Sequence, residues 1–180
     1  MKYLSQAKAL GRLAQIKQTL RQAVAKYEAR AKSCTTCETP GACCLDAHFV
    51  NVHISRLEAV AIDRTLDRLP DARRTAVEKR IDITISRYGL TESGDTYSQQ
   101  YACPLFETGV GCLVHNDGKP SACIVHACYE SNNDLPPDEL HQQAELAIDL
   151  LNARTYGREH RWLSIPLALR NSRRRRSSNG

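Results

Sequence analysis

The stretch Cys34-Thr-Thr-Cys37-Glu-Thr-Pro-Gly-Ala-Cys43-Cys44 places four thiols within eleven residues, and Cys103, Cys112, Cys123 and Cys128 supply four more. The 58 residues between Cys44 and Cys103 carry none. Buried structural thiols behave as small hydrophobes and scatter through a core, so two blocks of this kind point to shared chemistry. A C-x2-C pair such as Cys34 and Cys37 is a natural bite for one tetrahedral ion, because two intervening residues let both sulfurs turn back on the metal. Adjacent cysteines differ. On extended backbone their side chains point to opposite sides, so Cys43 and Cys44 are expected to serve different centres, or one of them to bridge. Ligands from the second block must then complete each set. Eight thiols allow two four-thiolate sites, or one four-iron cluster with four further cysteines. Thiolate softness selects zinc, ferrous iron or an iron–sulfur cluster over calcium and magnesium.

Disulfides, unliganded thiols and a redox dithiol compete with that reading. The βαβ context of a thioredoxin-like motif is missing, and in a reducing compartment clustered cysteines more often bind metal. His48, His53, His115 and His126 lie near cysteines and are candidate replacements for one ligand. For each the simpler account is a surface or hydrogen-bonded ring, with His115 and His126 the better placed between ligand candidates. Cys103-Pro104 puts a proline ring beside a ligand, as in some ferredoxins.

The chain that must position these groups has 180 residues, 42% hydrophobic and 25% charged, ordinary values for a globular protein. No apolar run reaches the roughly 18 residues of a bilayer span. Lys8, Arg12 and Lys17 interrupt any secretory core near the N-terminus, so a cytosolic location is expected. The net charge of +5 is unevenly laid out. Residues 1–32 carry +7, residues 170–180 carry +5, and the cysteine-bearing middle carries −7.

A mainly α fold is expected: a small helical domain with irregular cysteine-bearing loops, and room for one short strand or hairpin. Leu13, Leu20 and Tyr27 repeat every seven residues within a long helix over 3–31, flanked by Leu10, Val24 and Ala31, with Lys17 interrupting the second row. That basic amphipathic helix (1–32) either packs on its own domain or offers its face to a protein partner. Val50, Val52 and Ile54 alternate as a short strand would. Ser55-Arg-Leu-Glu58 is a capping box opening a helix that ends at Pro70. A further helix runs from Asp71 to Gly89 through Val77, Ile81, Ile85 and Tyr88. Residues 91–102 read as polar loop, and Asn116-Asp117-Gly118 as a turn. Pro136-Pro137-Asp138-Glu139 starts a helix with Leu140, Ala144, Ala147 and Leu151 on one face. The cysteine domain thus covers 33–155. Residues 156–180 form an extension whose Trp162, Leu163, Ile165 and Leu167 dock on the body, before a frayed basic tail from Arg173.

The residues now resemble a family. Cys34-Thr-Thr-Cys37 followed by Gly41-Ala42-Cys43-Cys44 is similar to the signature of the zinc- or iron-chelating cysteine-cluster proteins, often written CxxCxxCC. The likeness continues through Val52-His-Ile-Ser-Arg-Leu-Glu58, Cys103-Pro-Leu, Gly111-Cys112, Lys119-Pro120-Ser-Ala-Cys123, Cys128 and the helix from Asp138. It covers roughly residues 34–152. Glu38-Thr39-Pro40 lengthen the usual spacing, and Lys119 stands where the family usually has arginine, keeping the charge without the bidentate fork. The resemblance implies a bacterial cytosolic metal-binding domain. A related cysteine cluster in flagellin lysine methylases extends the implication to a protein-modifying enzyme.

The leading expectation is therefore a protein that holds zinc or iron, or an iron–sulfur cluster, through Cys34, Cys37, Cys43, Cys44, Cys103, Cys112, Cys123 and Cys128. An RNA- or ribosome-associated module is the alternative suggested by the basic ends, against which stand few aromatics and an acidic centre. No nucleotide-binding, metalloprotease or nucleophile-elbow motif is present.

Overall fold

The computed structural model describes residues 3–32, 39, 41–45, 51–93, 98–129, 131–157 and 161–178. It is mainly α-helical, with α1 (Gln6–Glu28), α2 (Ala42–Leu45), α3 (Arg56–Leu66), α4 (Asp71–Arg87), α5 (Ser121–Val125), α6 (Asp138–Tyr156) and α7 (Ile165–Ser177). Two antiparallel ladders join β1 (His53–Ile54) to β4 (Leu163–Ser164), and β2 (Phe106–Glu107) to β3 (Gly111–Cys112). No helix among the described residues is long and apolar enough to cross a membrane.

The chain divides into two compact units, each built from two separate stretches: 1–40 with 119–160, and 41–118 with 161–180. The first contains α1, α5 and α6. Ser5 caps α1 by accepting from the Lys8 N–H, and the helix buries Ala9, Leu13, Lys17, Leu20 and Val24. Lys17 thus lies on the buried stripe rather than breaking it, as a long alkyl chain permits. Tyr27, expected on that stripe, is half-buried instead. The start of α1 meets the end of α6, where the Leu4 N–H donates to the Arg154 carbonyl at 2.9 Å and Tyr156 Oη to Gln6 Oε1 at 2.8 Å. The two helices run antiparallel, and Leu20, Val24, Ile124 and Ala144 form a small core where α5 joins them.

The second unit has the larger core, assembled from Ile54, Ile62, Leu66, Val77, Ile81, Leu105, Ile165, Leu167 and their neighbours. The capping box forms as the sequence requires: the Glu58 N–H donates to Ser55 Oγ at 3.2 Å, and the Ser55 N–H to Glu58 Oε2 at 3.2 Å. Of the strand expected over 49–54 only β1 forms: Asn51 and Val52 are described and lie outside it, and 49–50 fall outside the described residues. Tyr101, wholly buried, anchors the segment read from sequence as polar loop. Its hydroxyl donates to the Val52 carbonyl at 2.7 Å and accepts from the Ile165 N–H at 3.1 Å. Three distant stretches are thereby pinned to one oxygen, two residues before Cys103.

The expectation of a frayed tail from Arg173 is corrected: α7 continues helical to Ser177. The cause is electrostatic. Asp63 on α3, 2% exposed at its side chain, receives Arg173 Nε at 3.3 Å and lies 3.7 Å from Arg176 Nη2. Arg173 also reaches Glu78 at 3.3 Å, and Arg176 pairs with Asp67 at 2.5 Å. Burial raises the Asp63 carboxyl above its ordinary value, while Ser172 and the two arginines pull it back. A raised carboxylate contributes most to stability below its unfolded pKa and loses that contribution as pH rises through the folded one. The arginines are what make the charged form tolerable at neutral pH. Arg173→Met is therefore expected to cost about 2 kcal/mol at pH 7, since it strands a buried charge. Arg176 is half exposed and screened, so Arg176→Met should cost under about 1 kcal/mol. Urea unfolding over a range of pH checks both, and because burial raises the Asp63 carboxyl the Arg173→Met penalty should shrink as pH falls.

Candidate metal centre

Gly41 opens the cysteine-bearing turn of the second unit. Its φ of +83° lies in the left-handed region that glycine tolerates, and a Cβ there would overlap the Phe106 ring. The Gly41 carbonyl then accepts from the Cys44 N–H at 2.8 Å and the Leu45 N–H at 3.0 Å, closing α2. Cys43 and Cys44 are accordingly helical, which corrects the extended backbone assumed from sequence. Neighbouring side chains on a helix diverge by roughly 100° rather than 180°, so this pair can address one side of the turn.

Opposite α2 lies the β2–β3 hairpin. The Cys103 N–H donates to the Cys44 carbonyl at 2.7 Å, which fixes the two cysteine-bearing segments side by side. The hairpin register sets Phe106 against Cys112, and the Leu113 N–H donates to the Leu105 carbonyl at 3.0 Å, folding Cys112 back toward Cys103. Cys43, Cys44, Cys103 and Cys112 are all half-buried. Although Cys103 keeps some surface, its thiol lies deep. Burial pushes it up to about 12 and Cys112 adds to the rise; the Leu105 and Phe106 N–H groups and the Arg80 guanidinium act against it. Such a thiol stays protonated in neutral water unless another positive charge takes the place of its proton.

In the first unit, Cys123 sits on α5 and Cys128 just beyond it. The Lys32 N–H donates to the Cys128 carbonyl at 2.8 Å, an isolated antiparallel bridge. The Arg30–Asp134 pair at 3.5 Å holds the same end of α1 to the 3-10 turn Asn132–Asp134. Cys34, Cys37 and His48 lie outside the described residues. Among the described residues, no three His, Cys, Asp or Glu side chains converge as a ligand set. Backbone bonds place the segments that carry Cys44 and Cys103 side by side and the hairpin returns Cys112 beside them, with Cys43 next in the α2 turn, but their side chains do not converge as a ligand set. His53 is buried in β1, whereas His115 and His126 are exposed. The His115 N–H donates to the Cys112 carbonyl at 3.1 Å, so its backbone belongs to the cysteine turn.

Arg80 on α4 was not anticipated from sequence. Its Nε donates to the Pro104 carbonyl at 2.9 Å, beside Cys103, and its Nη2 lies 3.9 Å from Glu107 Oε2. Arg73, two turns earlier on the same face, approaches Glu107 at 3.5 Å. Its signal in the sequence was slight: an arginine adjoining Ile81, at the edge of an apolar stripe.

No family model, curated protein or solved structure matches the chain. A functional reading must therefore come from the residues and their placement.

Proposed function

We propose that this chain is a cysteine-ligated metal protein with one soft-metal centre in each compact unit. The supporting observation is the Cys103 N–H to Cys44 carbonyl bond, which sets the two cysteine blocks of the second unit against each other. Cys43, Cys44, Cys103 and Cys112 would hold the centre of that unit. Cys123 and Cys128 would serve the other, with Cys34 and Cys37, which fall within the sequence range of the first unit. Lys32, bridged to Cys128, precedes Cys34 by two residues, a reach of only about 7 Å along any backbone.

The donor chemistry fits zinc or iron. A dication bound at Cys103 and Cys112 would supply the positive charge that deprotonates buried thiols, as coordinated thiols require. The chain's own residues do the positioning: Gly41 makes the turn, Tyr101 fixes the approach to Cys103, and the hairpin returns Cys112. The nucleic-acid alternative loses support, because Arg173 and Arg176 in the basic run are engaged by Asp63, Glu78 and Asp67. A lysine-modifying activity rests on the family resemblance alone.

The test is set-wise substitution in oxygen-free full-length protein. Replacing Cys43 and Cys44 with serine should remove one centre's metal and leave the other's. Replacing Cys123 and Cys128 should do the reverse. Loss of all metal from either variant would reject separate centres, and unchanged metal in both would reject cysteine ligation.

A further inference from the structure

Helix α6 is apolar over more of its surface than its own unit covers. Ala144, Ile148 and Leu151 are buried, whereas Leu146 keeps 71% and Leu150 58% of its surface exposed. Successive residues turn by about 100°, so Ile148, Leu151, Ala147, Leu150 and Leu146 together sweep roughly 200° of the helix. A surface helix packed on one core needs a stripe only about 100° wide. The excess borders a groove of about 560 Å³ between α1 and α6, with Ile16, Leu20, Ala147 and Leu150 along it and Arg12 and Arg154 as its charged lining. A volume of that size also suits a small ligand. Leu146, the most exposed of these leucines, lies outside the groove, so the occupant that covers all of the apolar surface is as broad as a helix pair.

Charge narrows the choice. Helix α1 carries Lys8, Arg12, Lys17, Arg21 and Lys26 against the single acid Glu28, while α6 carries Asp138, Glu139, Glu145 and Asp149 against Arg154. Lys8 shares the groove side of α1 with Arg12, four residues on. Glu139 stands seven residues before Leu146 and Asp149 three after it, so both flank the exposed leucines. A uniformly acidic partner would suit α1 and be repelled by α6, and a basic one the reverse. A second copy turned about a two-fold axis satisfies both helices at once, because an isologous contact sets each patch against its complement. We propose that the α1–α6 face of the first unit is a homodimer interface. Leu146 and Leu150 of each copy pack over the groove of the other, and the basic rim of α1 faces the acidic rim of the second copy's α6. This is independent of the metal reading.

Sedimentation of reduced full-length protein over a concentration series tests it. The expected result is a dimer at micromolar concentration that weakens as salt rises. Leu146→Asp should weaken it about tenfold or more, since a central apolar anchor is replaced by a charge in both copies. Lys8→Glu with Arg12→Glu reverses the α1 rim, and Glu139→Lys with Asp149→Lys reverses the α6 rim. Each of these variants should sediment alone as a monomer, and an equimolar mixture of the two should regain a dimer. A monomeric unsubstituted protein, a dimer unchanged by Leu146→Asp, or a mixture that stays monomeric would each overturn the proposal. So would a monomer that takes up a synthetic acidic amphipathic helix, which would assign the groove to a foreign partner. Should the rim variants not fold, Leu146→Asp decides alone, because its side chain is too exposed for the monomer's core to depend on it.

Discussion

Stripping metal with a high-affinity chelator is expected to lower the melting temperature of the unit containing α1, α5 and α6 by on the order of 15 °C, with a smaller change in the other unit. The asymmetry follows from the cores. The first unit's described buried apolar residues are Ala9, Leu13, Leu20, Val24, Ile124, Ala144, Ile148 and Leu151, and these include no large aromatic side chain. The second encloses Tyr101 within a much longer list of buried aliphatics. Small cores need a staple, and metal binding to thiolates that exist only in the folded state is itself folding free energy. A loss of about 3 kcal/mol in a unit of this size corresponds to the stated shift. Hydrogen exchange before and after chelation would assign the transition to α1 and α6. Equal protection in both states would show that sulfur–metal bonds contribute nothing to that unit's stability.

Gly41→Ala is the second substitution with a large expected effect. The left-handed φ of +83° costs an alanine about 1 kcal/mol, and the added methyl overlaps the Phe106 ring. Overpacking of that kind adds roughly 1–3 kcal/mol, because the turn and the β2–β3 hairpin must separate. The total of about 3 kcal/mol should appear in urea unfolding, together with loss of the Cys44–Cys103 apposition. A double-mutant cycle isolates the cause. In a Phe106→Ala background only the backbone share, about 1 kcal/mol, should remain. An undiminished penalty in that background would mean the ring contact does not hold the cysteine turn in place.

Much of this architecture is legible in the residues. The capping box at Ser55 and Glu58, the helix from Asp71 to Gly89 and the proline-led start of α6 are local signals with local causes, and they appear where the sequence puts them. What escaped reading depends on distant partners. Arg173–Arg176 reads as a solvated run until Asp63 and Asp67, more than 100 residues away, supply countercharge. Tyr101 sits in a polar stretch, and only the Val52 carbonyl and Ile165 N–H explain why it is buried. Cys43 and Cys44 were misread as extended because the turn imposed by Gly41 outweighs any preference of the cysteines. The clustering of the cysteines is plain from spacing, but the division of the chain that puts Cys43, Cys44, Cys103 and Cys112 in one unit and Cys123 and Cys128 in the other depends on chain packing, which spacing does not encode.

The most direct measurement is metal and thiol quantification on full-length protein isolated without oxygen, followed through chelation and thermal melting. The account predicts stoichiometric zinc or iron, cysteine sulfur protected from alkylation until the metal is removed, and a lowered melting temperature afterwards. Metal-free protein with eight freely reacting thiols, and a melting temperature indifferent to chelator, would contradict it.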